Sequence, residues 1–179
     1  MTIRRAELPD ASSMASIANA VSVDRNSRAE SGLVEYRLSQ EEYERRIDGN
    51  TLAFVAAAPV AGFCISYRWD FLQKLRETDA RARSDELMAH VSSYNEPFVY
   101  LDHLCVLPKF QKRGVASALH DYSLEQIRQN GIPVLYCAIS HAPWRNADSL
   151  RFSQDSGYEL ITEITTHTGL TFGIYTKEL

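Results

Sequence analysis

Apolar and polar positions change their period several times along the chain, and each change marks an element. The segment Thr2 to Glu7 predicts a short strand, which Pro9 and Asp10 end. Met14, Ile17, Ala18 and Val21 then recur at helical spacing and predict a helix over 11–21. Ser39 followed three residues later by Glu42 is a capping-box pattern, so a second helix opens there and runs to about Asp48, where Gly49 stops it. Leu52 to Ala57 and Val60 to Tyr67 are β-rich runs joined tightly around Ala58 and Pro59, the pattern of an antiparallel hairpin.

From Trp69 to Pro97 the texture turns charged and polar, with Phe71, Leu72, Leu75, Leu87, Met88 and Val91 spaced for one or two amphipathic helices inserted in the order of elements. "FVYLDHLCVLP" reads as a strand. "PVLYCAI" after Gly131 is a continuous apolar strand buried on both faces, and Leu119 to Arg128 between them is helical, giving a βαβ crossover. A helix from about Asn146 to Ser156 leads through Gly157 into "YELITEITT" and "LTFGIYTKEL", two strands turning near Gly169. No internal repeat, low-complexity tract or linker interrupts this succession.

Composition narrows the class. A chain of 179 residues with 45% apolar and 23% charged positions forms one domain over 1–179 with a sizeable core. No apolar run approaches the roughly 20 residues that span a bilayer, and the amino terminus shows no signal-like apolar segment. Cys64, Cys105 and Cys137 lie in apolar runs without metal or redox spacing, which predicts buried, reduced thiols and a cytoplasmic protein. The net charge of −4 gives no reason to expect nucleic-acid binding. The five histidines show no HxxxH or HExxH spacing, so no metal is expected.

Against that acidic background, Gln111, Lys112 and Arg113 stand where a helix begins at Gly114. The first N–H groups of a helix lack partners within it, and its dipole adds about half a positive charge there, so the loop is read as an anion site. Gly114 lets the backbone approach closely, the two cations add charge and Gln111 adds a donor. A solvated basic turn is the alternative. Neither GxxxxGK[ST] nor GxGxxG is present, which excludes the commonest nucleotide loops.

"VLPKFQKRGVASAL" resembles the Q/R-x-x-G-x-G/A signature of the GNAT N-acetyltransferases at Gln111, Gly114 and Ala116, and "WRNADSLRFSQDSGYEL" resembles that family's later motif at Asn146, Ser149, Phe152, Gly157 and Tyr158. The succession of elements is similar to the family from end to end. The resemblance implies an α/β (α+β) fold: a central, mixed, mostly antiparallel twisted sheet of about seven strands flanked by helices and splayed between its two parallel central strands, with a helical insertion at about 69–97. It also implies acetyl-CoA as cosubstrate, without a metal. Leu104, Cys105 and Val106 would meet the pantetheine arm. Gln111, Lys112, Arg113, Gly114, Val115, Ala116 and Ser117 would hold the pyrophosphate, with Asn146, Ser149 and Phe152 completing the cofactor site. The partners would be acetyl-CoA and an amine acceptor, with no nucleic acid or membrane, and the protein would be a monomer or homodimer.

Acetyl transfer to an amine needs a held thioester, a route for the amine proton and polarisation of the carbonyl. By resemblance the Leu104 N–H is the candidate oxyanion donor. Period two puts Tyr100, Asp102, Leu104 and Val106 on one face, which makes Asp102 the candidate base, acting through water or by binding the cationic amine. A structural acceptor at a bulge is the alternative for Asp102. His103 falls on the opposite face unless a bulge inverts the parity, and Cys105 is read as a buried thiol before a nucleophile. Where many family members carry Tyr or His, this chain has Ser153, a weak acid for the leaving thiolate; Tyr122 and Tyr158 are the candidate substitutes. Tyr67, Trp69 and Phe71 are either packing or part of an acceptor pocket. Three functions follow: N-acetylation of a small primary amine, a noncatalytic acyl-CoA-binding module, or acetylation of protein or peptide amino termini.

Overall fold

The computed structural model describes residues 1–22, 37–57, 59–95 and 97–179. Seven strands form a single sheet: β1 (Thr2–Arg5), β2 (Ala53–Ala57), β3 (Gly62–Arg68), β4 (Val99–Val106), β5 (Val134–Ala142), β6 (Glu159–Thr165) and β7 (Thr171–Glu178). Their order is β1-β2-β3-β4-β5-β7-β6, and every neighbouring pair is antiparallel except β4 with β5. The expected mixed, mostly antiparallel sheet is therefore present. The hairpin between β2 and β3 turns through residues of which Ala58 lies outside those described.

Local chemistry explains where elements stop. β1 ends at Arg5 rather than Glu7, because Asp10 accepts from the Glu7 N–H at 2.8 Å and from both Arg4 guanidinium nitrogens at 2.7 and 2.8 Å, pulling 8–10 into a 3₁₀ turn. Helix α1 (Ala11–Ala20) follows. Helix α2 (Gln40–Ile47) opens on the expected capping box: the Glu42 N–H donates to Ser39 Oγ, and the Ser39 N–H donates to the Glu42 carboxylate.

The segment 69–97 folds as three short helices, not one or two: α3 (Trp69–Thr78), α4 (Ala80–Ser84) and α5 (Glu86–Val91). Two aspartates divide them. Asp79 accepts from the Arg81 and Ala82 N–H groups, and Asp85 accepts from the Met88 N–H, so each caps a new helix before the previous one can continue. Leu72, Leu75, Ala82, Met88 and Val91 enter the same apolar core as α1 and α2, and Arg45 Nε donates to Asp79 at 2.7 Å. The insertion is thus part of the main core on one face of the sheet.

On the other face, helix α6 (Val115–Gln129) packs Val115, Leu119, Leu124 and Ile127 against β2, β3 and β4. It starts directly after Gly114, where the sequence places its beginning, and extends past the Leu119–Arg128 stretch. Helix α7 (Ala147–Asp155) adds Leu150 to that second core. Among the described residues no helix is long and apolar enough to cross a membrane.

β4 and β5 touch over three residues only: Val99 faces Leu135, Tyr100 faces Tyr136 and Leu101 faces Cys137. Past Leu101 the two strands have no paired residues, although β4 remains on β3 and β5 remains on β7. The sheet is splayed there, as expected, and the gap opens to both faces.

Candidate active site

A bulge sits at the mouth of the gap. Ile65 and Ser66, adjacent on β3, pair with His103 and Leu101, so the register skips Asp102, the extra residue of a bulge. This overturns the period-two assignment of faces. Tyr100 and Cys105 lie in the core of the α1–α2 face, while Leu101, Leu104 and Val106 pack toward α6. Asp102 and His103 therefore share the α1–α2 side: the Tyr67 hydroxyl donates to Asp102 Oδ2 at 2.8 Å, and the Tyr43 hydroxyl lies 3.0 Å from His103 Nδ1.

A cavity of about 670 Å³ runs through the gap and joins the two faces. Leu104, Cys105 and Val106 form its wall along β4. At its α6 end stand Gln111, Lys112, Gly114, Val115, Ala116 and Ser117, and α7 contributes Asn146, Ser149, Phe152 and Ser153. The structure brings these predicted residues together from three separate stretches of chain. Arg113 is the exception, since it is exposed and does not line the cavity.

The loop geometry suits an anion. Lys112 has φ 57° and Gly114 has φ 78°, two left-handed residues that turn the chain from β4 into α6. A Cβ at Gly114 would meet nothing within 4 Å, so the backbone there faces open space. Gln111 Nε2 donates to the Val106 carbonyl at 3.1 Å, which fastens the loop to the end of β4. Val115, Ala116 and Ser117, the first residues of the fifteen-residue α6, line the same space, and their N–H groups have no partner within the helix. Arg151 of α7 also lines this end and was missed in the sequence. Its signal was available: Asp148, Arg151 and Phe152 follow the i, i+3, i+4 spacing of one helix face, and all three line the cavity.

Several candidates have structural partners. Asn146 is buried and its Oδ1 accepts from the Ser149 N–H at 3.0 Å, capping α7. Ser153 is buried, and its hydroxyl donates to the Leu150 carbonyl at 3.2 Å, one turn back in its own helix. Tyr158 lines the cavity and meets His120 Nε2 at 2.7 Å; burial pushes its hydroxyl far above the ordinary tyrosine range and pushes His120 down, leaving both neutral. Tyr122 packs edge-on against Phe54 and stands outside the cavity wall. Tyr67, which donates to Asp102, stacks on Phe71 with ring centres 5.8 Å apart, and these two and Trp69 are not among the described residues that line the cavity.

Burial also sets the remaining titratable groups. His103 is pushed below its ordinary value, chiefly by desolvation, so it is neutral at physiological pH. Burial pushes the Cys105 thiol far up, Cys64 to about 11 and Cys137 to about 12. A thiol that stays protonated is no nucleophile, which fits Cys105 as a packed wall residue.

Comparison with known proteins adds three findings. The model of a family described as "Acetyltransferase (GNAT) family" matches residues 26–158. No curated protein matches the chain. Among solved structures, Ard1 from Thermoplasma volcanium superposes with a TM-score of 0.70 at 16% identity, covering 99% of this chain and 97% of that one. Ribosomal-protein-alanine N-acetyltransferase from Brucella melitensis gives 0.67 at 18% identity, with 100% of both chains covered. Naa50 of Arabidopsis thaliana, in complex with the bisubstrate analogue CoA-Ac-MVNAL, gives 0.66 at 12% identity over 99% of this chain and 98% of that one.

Proposed function

Because the chain belongs to the GNAT acetyltransferase family, we propose that it transfers the acetyl group of acetyl-CoA directly to a primary amine of a small molecule. The observation that carries this reading is the splayed gap, with an anion loop on one face and the Asp102 carboxylate on the other. Such a gap lets two substrates enter from opposite faces and meet along β4.

On the α6 side, Lys112, Arg151, Gln111 and the backbone N–H groups of Val115, Ala116 and Ser117 hold the diphosphate, and Gly114 keeps the approach free of a side chain. Beyond Leu101 the β4 edge facing β5 has no strand partner and receives the pantetheine arm, with the Leu104 N–H as the candidate donor to the carbonyl oxygen. The amine nitrogen attacks the carbonyl carbon, the C–S bond breaks, and the products are an amide and the CoA thiol. Asp102, held by Tyr67, binds the incoming ammonium and accepts its proton through water. The Ser153 hydroxyl is engaged with Leu150, so the thiolate leaves without a strong acid beside it.

Small molecules are favoured over peptides by a tie between the insertion and the last hairpin, beside Leu87 and Phe172 of the cavity wall. The Glu86 carboxylate at the start of α5 accepts from the His167 N–H at 3.2 Å and pairs with its ring, tying the insertion to the β6–β7 turn. The test is a release assay for free CoA with small amines and a free-amino-terminal pentapeptide. Turnover of small amines with the pentapeptide inert supports the reading, and the reverse ranking sinks it. Acetyl-CoA binding with no turnover of either class would instead support the noncatalytic module.

A further inference from the structure

Past Cys137, β5 pairs with β7 and with no residue of β4, yet Ala138, Ile139 and Ser140 of that stretch line the cavity. Whatever fixes this end of β5 therefore fixes one wall of the gap. The β5–β7 register passes from Ser140 opposite Phe172 to Ala142 opposite Thr171 and skips His141, the extra residue of another bulge. Its imidazole lies across β7: Nδ1 meets the Glu163 carboxylate of β6 at 2.5 Å, and Nε2 meets the Tyr175 hydroxyl of β7 at 3.0 Å. One ring thus spans three strands.

Gly173 makes the crossing possible. It pairs with Ile139 of β5 on one side and Glu163 of β6 on the other, and a Cβ there would come 2.5 Å from two atoms of the His141 ring. Glu163 is 55% exposed, so its contact alone would hold little. Tyr175 is buried in the same apolar core as Leu150 of α7 and fixes the ring from its inner side. The backbone carries this position onward. The Ser140 carbonyl accepts from the Asn146 N–H at 3.1 Å, and the Ser140 hydroxyl donates to the Trp144 carbonyl at 2.6 Å. Asn146 caps α7, whose Arg151 and Phe152 line the cavity.

We propose that His141 is a positioning residue for the acyl donor: held by Glu163 and Tyr175 over Gly173, it sets the end of β5 and, through Ser140 and Asn146, the place of Arg151 at the diphosphate. The inference rests on the acetyl-CoA reading above. His141 is not among the described residues that line the cavity, so it acts on the donor only through the wall that it fixes. A guanidinium meets a diphosphate through directed hydrogen bonds, and side chains that bind in this way need support to within about 0.5 Å. The bracket supplies that support where β5 has parted from β4.

Titration calorimetry with CoA on the full chain tests this in a double-mutant cycle. His141→Ala is expected to weaken CoA binding about tenfold, but less than about threefold when made in Arg151→Ala, because the side chain it positions is already gone. A role in stability alone would lower Tm and leave the affinity of the folded protein unchanged, so Tm is read beside affinity. Gly173→Ala keeps the imidazole but pushes it off β7, and it should lose as much affinity as His141→Ala; it takes that variant's place in the cycle should His141→Ala fold poorly. Unchanged affinity in both folded variants overturns the proposal, and so does an equal loss in the two Arg151 backgrounds. The two readings fail differently: wild-type protein that binds no CoA removes the acetyl-CoA reading itself, whereas binding that wild type and variants share equally removes the positioning role alone.

Discussion

Replacing Gly114 separates the shape of the anion loop from its charge. With φ 78° and ψ 5° the residue is left-handed, and any L-amino acid there costs roughly 1–2 kcal/mol. No steric cost is added, because a Cβ would meet nothing within 4 Å. In a domain of this size that strain lowers Tm by about 2–8 °C. Gly114→Ala therefore loses stability but keeps its affinity for acetyl-CoA within about threefold. Gly114→Glu carries the same strain, partly offset in the free protein because a carboxylate at a helix N-terminus gains about 0.3–1 kcal/mol from the dipole. Bound diphosphate reverses that gain. Two like charges about 5 Å apart at an effective dielectric near 20 repel by about 3 kcal/mol, so affinity should fall at least about 100-fold. Scanning calorimetry gives the stability of both variants, and titration calorimetry gives the affinity. Acetyl-CoA binding by Gly114→Glu within threefold of wild type would falsify the placement of the diphosphate. An equal loss in Gly114→Ala would show that backbone shape, not charge, controls the site.

Asp102→Asn keeps the Tyr67 contact in shape but removes the charge; the transfer rate should fall about 10²-fold with acetyl-CoA affinity unchanged, as read by steady-state kinetics and calorimetry. Ser153→Ala should cost less than about threefold in rate in the same assay, because its hydroxyl serves the Leu150 carbonyl. With Cys64 pushed up to about 11, Cys137 to about 12 and Cys105 further still, none of the three thiols should react with a disulfide reagent at pH 8 until the protein is unfolded. Asp10 is held below the ordinary aspartate range, first by its hydrogen bonds from Arg4, so its contribution is present above pH 3.8 and is lost as pH falls below it. Since Arg4 is 41% exposed, that contribution is about 1 kcal/mol, and urea melts of Asp10→Asn should show a deficit at pH 7 that shrinks in acid.

Features encoded within a few residues were legible in the sequence. The turn at Gly114, the capping box at Ser39 and Glu42, and the βαβ crossover depend on local dihedrals and periodicity, and each is present. Features set by pairing with a distant strand were not. Nothing between Val99 and Val106 announces that the β3–β4 register skips Asp102, yet that one residue brings Asp102 and His103 to the same side and sends Leu104 to the other. The division of the insertion by Asp79 and Asp85 was written as two helix caps, but their signal was hidden among many charges. Arg113 illustrates the opposite limit: its charge and its place beside Gly114 were plain, and only the three-dimensional path of the loop shows that Lys112 and Arg151 line the cavity in its stead.

Three paired residues hold β4 to β5, and through them the halves of the sheet on either side of the gap. On the proposed function, that seam makes the cosubstrate a temporary structural element. A cosubstrate bound along the open edge of β4 acts as an extra strand, and mass action converts its occupancy into fold stability: about 2.7 kcal/mol when its concentration is 100 times Kd, or a rise of about 5–10 °C in Tm. On the proposed function, the cellular supply of acetyl-CoA would then set the lifetime of the protein as well as its turnover, since unliganded chains unfold more often and are the better target for proteolysis.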